Sequence, residues 1–237
     1  MYYNGAIKYN NVLSSAFSLI VTEVPSVVHS EIRGETFVIP GRDGELISSD
    51  TYRGNAEIHV NLAMVTSNSA ANNYQDALWN VRKWLSGTGR LVLPDNPNTY
   101  YEVLKVTIAT DTRVVLNYGM LEVVFTVYPF VFISGADTAI TSFPINNTGD
   151  ICKPLYTISG TGSGELKVGN KPKMSFIADG TLNIDTRRFI AYKDTNQNRN
   201  DKLDGEYSDL WLDHGSNAIT ISNGFTLSVT PKWGYVI

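Results

Sequence analysis

Residues 73–93 read NYQDALWNVRKWLSGTGRLVL, and in this stretch alone the apolar side chains follow a helical period. Four apolar residues recur at intervals of four, three and four positions: Tyr74, Leu78, Val81 and Leu85. At about 100° per residue these side chains lie on one stripe of a helix. Asn73 is a suitable N-cap, and Gly87 stands where a left-handed stop is expected. The sequence therefore predicts an α-helix over about residues 73–86 that packs its stripe against a sheet.

Trp79 lies on a different side of this predicted helix, beside Asp76 and Lys83. Two interpretations remain open. The indole either lies flat on the protein surface or under a loop, or it contacts another protein, since large aromatic side chains are enriched in interface cores. Trp79 is therefore a candidate interface residue.

A cluster of turn residues, Pro40-Gly-Arg-Asp-Gly44, follows a strand predicted over residues 36–40. Proline fixes φ and each glycine can adopt a positive φ, so the cluster predicts a hairpin tip that holds Arg42 and Asp43 outward as candidate interface residues. As a phosphate-binding loop the cluster lacks the helix that should follow it.

Strands are also predicted on both sides of the helix. Residues 53–65 alternate as a half-buried strand, residues 90–93 form a short strand, and residues 101–108, 113–118 and 119–128 predict a meander. The last strand leads into the aromatic cluster Tyr128-Pro-Phe-Val-Phe132. Such a cluster belongs either to the core or to a surface buried against a neighbouring subunit, which makes Tyr128, Phe130 and Phe132 candidate interface residues.

The composition shifts to Ala, Asp, Thr, Asn and Gly between Ser134 and Gly149, which predicts a domain boundary. We expect an N-terminal domain over residues 1–134, a linker over 135–149 and a C-terminal domain over 150–237. The second half predicts a series of short strands: residues 155–160, 164–168, 173–177, 180–185, 188–192, 217–222 and 226–231. The predicted fold class is mainly β, with a one-helix sheet domain followed by a β-sandwich.

The loop Asp194–Asp204 begins like a calcium-binding loop, with Asp194, Asn196 and Asn198 at alternate positions. The match fails further on, because Arg199 replaces the turn glycine and Gly205 replaces the bidentate carboxylate. These three residues are the metal candidates of the chain, and we predict that the loop does not bind calcium tightly. No cofactor is expected.

The composition argues against several functional classes. The net charge of −4 disfavours bulk electrostatic binding of nucleic acid. The single cysteine, Cys152, precludes an internal disulfide and a thiolate zinc cluster. The three histidines are scattered and form no evident acid–base constellation, so no catalytic residue is assigned and no enzyme is predicted. No secretory signal and no apolar run of about 20 residues occur, so we expect a soluble protein made in a cytoplasm.

Several short motifs follow one another along nearly the whole chain: Ile39-Pro-Gly-Arg-Asp-Gly-Glu-Leu46, Trp84-Leu85, Gly89-Arg-Leu-Val-Leu-Pro-Asp95, Tyr101-Glu-Val103, Glu122-Val-Val-Phe-Thr-Val-Tyr-Pro129, Leu182-Asn-Ile-Asp185, Leu210-Trp-Leu212, Gly215-Ser-Asn217 and Pro231-Lys-Trp233. In their order and spacing the chain resembles the distal tail proteins of siphophages. These proteins form the hub of the tail tip in bacterial viruses with long, non-contractile tails.

The resemblance implies an N-terminal β domain that assembles as a hexameric ring around the tail channel, and a galectin-like β-sandwich outside the ring. It implies the tail tube protein and the tail-associated protein as partners on the two faces of the ring, and receptor-binding or baseplate proteins on the sandwich. DNA would pass through the channel without specific binding. The implied location is the virion tail tip, after assembly in the host bacterial cytoplasm, with no membrane contact.

Two other functions compete with a structural ring protein. A carbohydrate-binding β-sandwich that contributes to host attachment could present Trp211, Tyr207 or Tyr192 to a sugar ring. A tail hydrolase is disfavoured, because no pair of acid and base residues is recognisable.

Overall fold

The structure is a computed structural model that describes residues 5–66, 74–115, 118–194 and 197–237, without the side chains of residues 49–51. Within these residues the chain is mainly β, as predicted, and forms two compact units. The first unit contains Met1–Val131 and Val236–Ile237, and the second contains Phe132–Tyr235.

The first unit is built from antiparallel strands and one described α-helix, α1 (Tyr74–Trp84). The strands in chain order are β1 (Lys8–Tyr9), β2 (Val12–Leu13), β3 (Leu19–Val21), β4 (Ser26–Val28), β5 (Ile32–Val38), β6 (Glu45–Arg53), β7 (Ala56–Val65), β8 (Gly89–Val92), β9 (Thr99–Val115) and β10 (Tyr118–Ile133). The main sheet has the order β2-β1-β8-β9-β10-β7-β3, with β4 also paired to β7, whereas β5 and β6 form a sheet of their own. A 3₁₀ turn, Ser14–Phe17, connects β2 to β3.

Helix α1 buries the predicted stripe. Tyr74, Leu78, Val81 and Leu85 are each at most 3% exposed and belong to the core formed with the inner face of the main sheet. Trp84 closes one end of this core: its indole Nε1 donates to the carbonyl oxygen of Tyr9 at 3.2 Å and its ring stacks on Phe17 at 4.9 Å. The predicted N-cap, Asn73, lies outside the described residues.

The meander predicted after the helix is wrong in one respect. Residues 101–108 and 113–118 were expected as two strands, but β9 runs without a break from Thr99 to Val115. The intervening Ala109-Thr-Asp-Thr112 contains turn-forming residue types, yet threonine is also a good strand former, and pairing with β10 keeps the segment extended.

The second unit is also antiparallel. Its strands are β11 (Ile145–Asn147), β12 (Leu155–Val168), β13 (Met174–Asp185), β14 (Ile190–Lys193), β15 (Gln197–Asn198), β16 (Leu203–Asp204), β17 (Gly215–Asn217), β18 (Ile219–Ile221) and β19 (Thr226–Thr230). The last strand, β20 (Gly234–Val236), pairs with β10 and belongs to the main sheet. One sheet has the order β15-β14-β13-β12-β18, with β16 on β13 and β19 on β12, and β11 pairs with β17. Two 3₁₀ turns, Asn200–Lys202 and Tyr207–Leu210, lie between β15 and β17.

Two of the predicted strand breaks in this unit are wrong, and glycines lie at both of them. The segments 155–160 and 164–168 were expected as separate strands, as were 173–177 and 180–185, but β12 and β13 are each continuous and pair along their length. Gly160 and Gly164 lie inside β12 because the ring of Phe225 occupies the space that a Cβ would fill; a Cβ on Gly160 would lie 2.5 Å from the Phe225 ring. These glycines therefore make room for an aromatic ring and do not end a strand.

The predicted domain limits, residues 1–134 and 150–237 with a linker between them, remain a proposal about independent folding. Within the second unit, the residues of that linker include β11 and a backbone bridge from Ile140 to Val229.

Candidate assembly surfaces

The hairpin of β5 and β6 forms an arm, defined here as residues 32–53. Its two strands pair with each other from Ile32–Arg53 to Val38–Glu45. The predicted turn closes it: Gly41 and Gly44 have φ values of 81° and 78°, in the left-handed region that favours glycine. Arg42 and Asp43 lie exposed at the tip, as the sequence predicted.

The arm carries apolar side chains on both of its faces, and on one face they are mixed with Thr36 and Glu45. Phe37 pairs with Leu46 on one face, while Val38 and Ile47 lie diagonally opposite each other on the other face. Val38 is 73% exposed and Ile47 is 72% exposed. A solvated hairpin normally carries polar side chains on the face that meets water, whereas each face of the arm keeps apolar surface that a partner could cover.

The root of the arm is held by backbone and side-chain hydrogen bonds around Ser30. The backbone N–H of Ser30 donates to the Ile237 oxygen at 3.0 Å, and the Ser30 hydroxyl donates to the same oxygen. The Ile237 N–H donates to Pro129 of β10 at 3.2 Å, and Arg53 donates to the Ser30 carbonyl at 3.0 Å. The base of the arm is therefore anchored at one place in the first unit. This anchoring restricts the directions in which the tip can extend.

Large apolar residues of the arm are between 39% and 73% exposed: Ile32, Phe37, Val38, Ile39, Leu46, Ile47 and Tyr52. At about 150–200 Å² for a fully exposed side chain, they present roughly 600 Å² of surface. One partner in a standard protein interface buries about 800 Å², so the arm can supply most of one side of such an interface. A free two-stranded hairpin is marginal in water, which also favours a covering partner.

Trp79 lies on the outer face of α1 and is 62% exposed, which is the position that the helical phase predicted. The neighbouring Leu78 is 2% exposed, so one residue step separates the core from the surface. A contact between Trp79 and another protein remains a prediction.

The aromatic cluster at the end of β10 is divided between core and surface. Phe132 is 2% exposed, whereas Tyr128 and Phe130 are half-buried and stack on each other with ring centroids 5.6 Å apart. Only Tyr128 and Phe130 of the three candidates therefore keep ring surface that a neighbour could cover.

The loop Asp194–Asp204 contains short secondary structure. Asn198 belongs to β15, and its side-chain oxygen accepts from the backbone N–H of Asn200 at 2.8 Å. Asp194 is exposed with a φ of 54°, and Asn196 lies outside the described residues. Among the described residues, no group of three His, Cys, Asp or Glu side chains could hold a metal ion.

His59, His214 and Cys152 each have a structural setting that explains them without catalysis. His59 lies between Glu122 and Glu57 on the outer face of the main sheet, with nitrogen–oxygen distances of 3.6 and 3.7 Å. The Nδ1 of His214 lies 2.9 Å from the Gly149 carbonyl oxygen. Burial raises the pKa of the Cys152 thiol to about 12, which keeps it protonated and unreactive near neutral pH.

The aromatic residues proposed to face a sugar lie in the second unit. The Trp211 indole Nε1 donates to the Thr186 carbonyl at 3.4 Å, and Lys153 places its ammonium 4.4 Å from the Trp211 ring centroid. The Tyr207 hydroxyl donates to Asn200 at 3.2 Å. Phe189, which the sequence analysis did not single out, is 42% exposed and contacts both Trp211 and Tyr207.

Sequence reasoning also missed the extent of the arm. The unbroken apolar run Phe37-Val-Ile39 before the turn was a signal for it. A strand with one solvated face should alternate apolar and polar residues, and this run does not.

The fold and its surfaces define a two-unit, mainly β protein with an exposed apolar arm on its first unit. Among the helices that the structure describes, none is long and apolar enough to cross a membrane. In particular, the fold is similar to that of the Dit protein (gp 19.1) of phage SPP1, described as a paradigm of the hub adsorption apparatus in phages that infect Gram-positive bacteria. The TM-score is 0.70 at 15% identity, over 96% of this chain and 98% of that chain. This likeness confirms the predicted fold: a β domain with one helix, followed by a β-sandwich.

Two further matches are chains of the phage P2 baseplate in its activated conformation. The structure with calcium gives a TM-score of 0.49 at 11% identity, over 95% of this chain and 97% of that chain. The structure with strontium gives 0.47 at 11% identity, over 95% and 96%. No family model matches the chain, and no curated protein matches it.

Proposed function

We propose that this chain is a structural subunit of a phage tail tip, and that copies of it join through the arm. The observation that carries the proposal is the arm itself, with apolar side chains on both faces and a root fixed by Ser30 and Ile237. The fold shared with the SPP1 hub protein supports the same role.

A second copy of this chain is the occupant that best fits the arm. The roughly 600 Å² that the arm exposes is close to the share of one partner in a stable interface. An arm that leaves one copy and covers a different surface on the next makes a heterologous contact. Repetition of such a contact closes a ring, without a two-fold partner, when the rotation between copies is a simple fraction of a turn.

The ring is proposed to contain six copies and to surround the channel through which DNA passes without specific binding. Its two faces would bind the tail tube protein and the tail-associated protein, and the second unit would bind receptor-binding or other baseplate proteins. The role is structural, not enzymatic, and the place of action is the virion tail tip after assembly in the host cytoplasm.

The test compares two valines of similar exposure. Val38 lies on the arm at 73% exposed, and Val24 lies outside it at 58% exposed. Val38→Asp places a charge in the proposed contact and should reduce the assembly to the 26.2 kDa monomer, with an unchanged melting temperature of the protomer. Val24→Asp is the matched control and should leave the assembly intact.

The measurement is the mass of the full chain by sedimentation or light scattering across a range of concentrations. The wild-type chain should show a discrete species of six copies. A wild-type chain that stays monomeric at high concentration would refute self-assembly, and an unchanged mass for Val38→Asp would move the contact away from the arm.

A further inference from the structure

A surface of the second unit combines one exposed and two half-buried aromatic rings with cationic side chains. Its aromatic platform consists of Phe189, Tyr207 and Trp211. Phe189 stands edge-on to Tyr207 with centroids 5.8 Å apart, and contacts Trp211 at 6.3 Å. The platform is continuous through Phe189, the residue in the middle.

Phe189 has an unfavourable backbone conformation as well as an exposed side chain. Its φ is 55°, in the left-handed region that bulky side chains rarely adopt, and it is 42% exposed. A phenylalanine that is strained and still meets water is poorly explained by stability alone. Residues held in this way concentrate at binding sites.

The turn before Phe189 is held by hydrogen bonds within the second unit. One carboxylate oxygen of Asp185 accepts the backbone N–H groups of Arg187 and Arg188, both at 3.1 Å. Thr186 is fully buried and its hydroxyl donates to the Pro154 carbonyl at 2.8 Å. Arg188 and Phe189 are exposed and Arg187 is half-buried on this hydrogen-bonded turn. A turn ordered by its own hydrogen bonds lowers the entropic cost of binding.

Three cationic side chains lie close to the platform in the chain or in space: Lys153, Arg187 and Arg188. The Lys153 ammonium lies over the Trp211 ring, and its pKa is lowered, first by burial and then by the nearby Arg187. The guanidinium of Arg188 is largely exposed, and its Nε lies 3.8 Å from Asp185. Among the acidic residues of this part of the chain, Asp213 is paired with Lys171 at 2.9 Å, and Glu206 and Asp209 flank Tyr207 in the sequence.

An open groove of about 540 Å³ is lined by Arg188, which directly precedes Phe189 in the chain. The groove also contains the polar side chains of Asn183, Tyr192 and Asn198, with one carboxylate, Asp194. The groove thus offers amide and hydroxyl groups suited to the hydroxyl groups of a sugar.

We propose that this surface binds an anionic saccharide, with a sugar ring against Phe189 and its phosphate or carboxylate bound by Arg187 and Arg188. Aromatic faces accept the apolar face of a sugar, and guanidinium groups match the geometry of carboxylate and phosphate. The next sugar of the chain lies in the groove beside Tyr192. This role goes beyond self-assembly, and it gives the subunit a direct contact with a charged surface polymer.

The experiment measures binding to the full chain by calorimetry with three probes: an oligogalacturonate, a glycerol-phosphate oligomer and a neutral malto-oligosaccharide. At least one anionic probe should bind, and the neutral probe should bind at least about tenfold more weakly. The anionic probe that binds more tightly identifies carboxylate or phosphate as the natural charge. Lack of binding by both anionic probes, or equal binding of the neutral one, would overturn the proposal.

Single-residue variants test which side chains form the binding site. Arg188→Gln and Phe189→Ala should each weaken binding of the anionic probe at least about tenfold, while Phe189→Tyr keeps the ring and should retain it. Lys167→Gln removes one exposed charge elsewhere on the same unit and should have no effect. Phe189→Gly should abolish binding without lowering the melting temperature, because glycine relieves the positive φ. Wild-type affinity in Arg188→Gln and Phe189→Ala would refute the site.

Discussion

Gly119 of β10 offers a sharp test of the packing between helix and sheet. For Gly119→Ala, general rules predict a gain in stability, whereas this structure predicts a loss. A glycine inside a strand is usually destabilising by about 0.5–1 kcal/mol relative to alanine, so Gly119→Ala would be expected to stabilise the protein. Here a Cβ would lie 2.5 Å from the Cε2 and Cζ atoms of Tyr74 and closer still to its hydroxyl. Normal contacts between carbon atoms are about 3.5–4.0 Å, so the ring must move by more than 1 Å.

The ring of Tyr74 has no easy way to move. It is 2% exposed, and its hydroxyl donates to a carboxylate oxygen of Asp111 at 3.0 Å. The other carboxylate oxygen of Asp111 lies 3.3 Å from Arg82 of the same helix. Overpacking costs about 1–3 kcal/mol, and loss of a hydrogen bond to a charged group costs about 1.5–3 kcal/mol. We expect Gly119→Ala to lower the free energy of unfolding by about 2–4 kcal/mol.

The assay is urea unfolding at concentrations where the transition does not depend on protein concentration. Gly54→Ala is the control, since a Cβ there would meet only the Glu31 carbonyl oxygen at an ordinary 3.8 Å. In a Tyr74→Ala background, Gly119→Ala should cost almost nothing, because the colliding ring is gone. If Gly119→Ala were as stable as Gly54→Ala, or equally costly with and without the Tyr74 ring, the proposed packing would be refuted.

Three further outcomes are expected. Burial and then Asp111 raise the folded-state pKa of Tyr74 from 10.0 to about 12, so the unfolded chain loses this proton first and the free energy of unfolding should fall between pH 10 and about 12. Tyr74→Phe should flatten that fall in alkaline urea titrations; an unchanged slope would contradict it. Leu78→Ala should cost the protomer about 2–5 kcal/mol, whereas Trp79→Ser should leave its thermal stability nearly unchanged and weaken assembly measured by sedimentation; equal destabilisation would place Trp79 in the core. Because the loop Asp194–Asp204 is predicted not to bind calcium tightly, melting curves with calcium and with chelator should coincide. Binding at a hundredfold excess over the Kd would instead add about 2.7 kcal/mol of stability, and a rise in melting temperature abolished by Asp194→Ala would contradict the prediction.

Helix α1 and the tip of the arm were predictable because their causes lie within a few residues of each other. The stripe from Tyr74 to Leu85 needs only a helical period, and the turn between Gly41 and Gly44 needs only residues that tolerate its backbone angles. The exposed position of Trp79 follows from the same period.

Other features depend on residues far apart in the chain. Gly160 remains inside β12 because β13 supplies its hydrogen bonds and Phe225, 65 residues further on, fills the space beside it. From the sequence, the same glycine resembles a strand end. Likewise, β9 continues through Asp111 because β10 pairs alongside it, and the Asp111 side chain is held by Tyr74 and Arg82 of the helix.

The two proposed surfaces likewise combine features that neighbouring residues predict with features that depend on distant segments. Arg42 and Asp43 could be assigned to the hairpin tip from local turn chemistry, but the apolar run from Phe37 to Ile39 reads equally well as a buried strand. Only the pairing of β5 with β6 alone, outside the main sheet, shows that those side chains meet water. Phe189 gave no local signal, since its exposure and its contacts with Tyr207 and Trp211 arise when segments 18 and 22 residues apart fold together. Local propensity is determined by neighbouring residues, whereas the exposure of a side chain depends on which distant segments cover it.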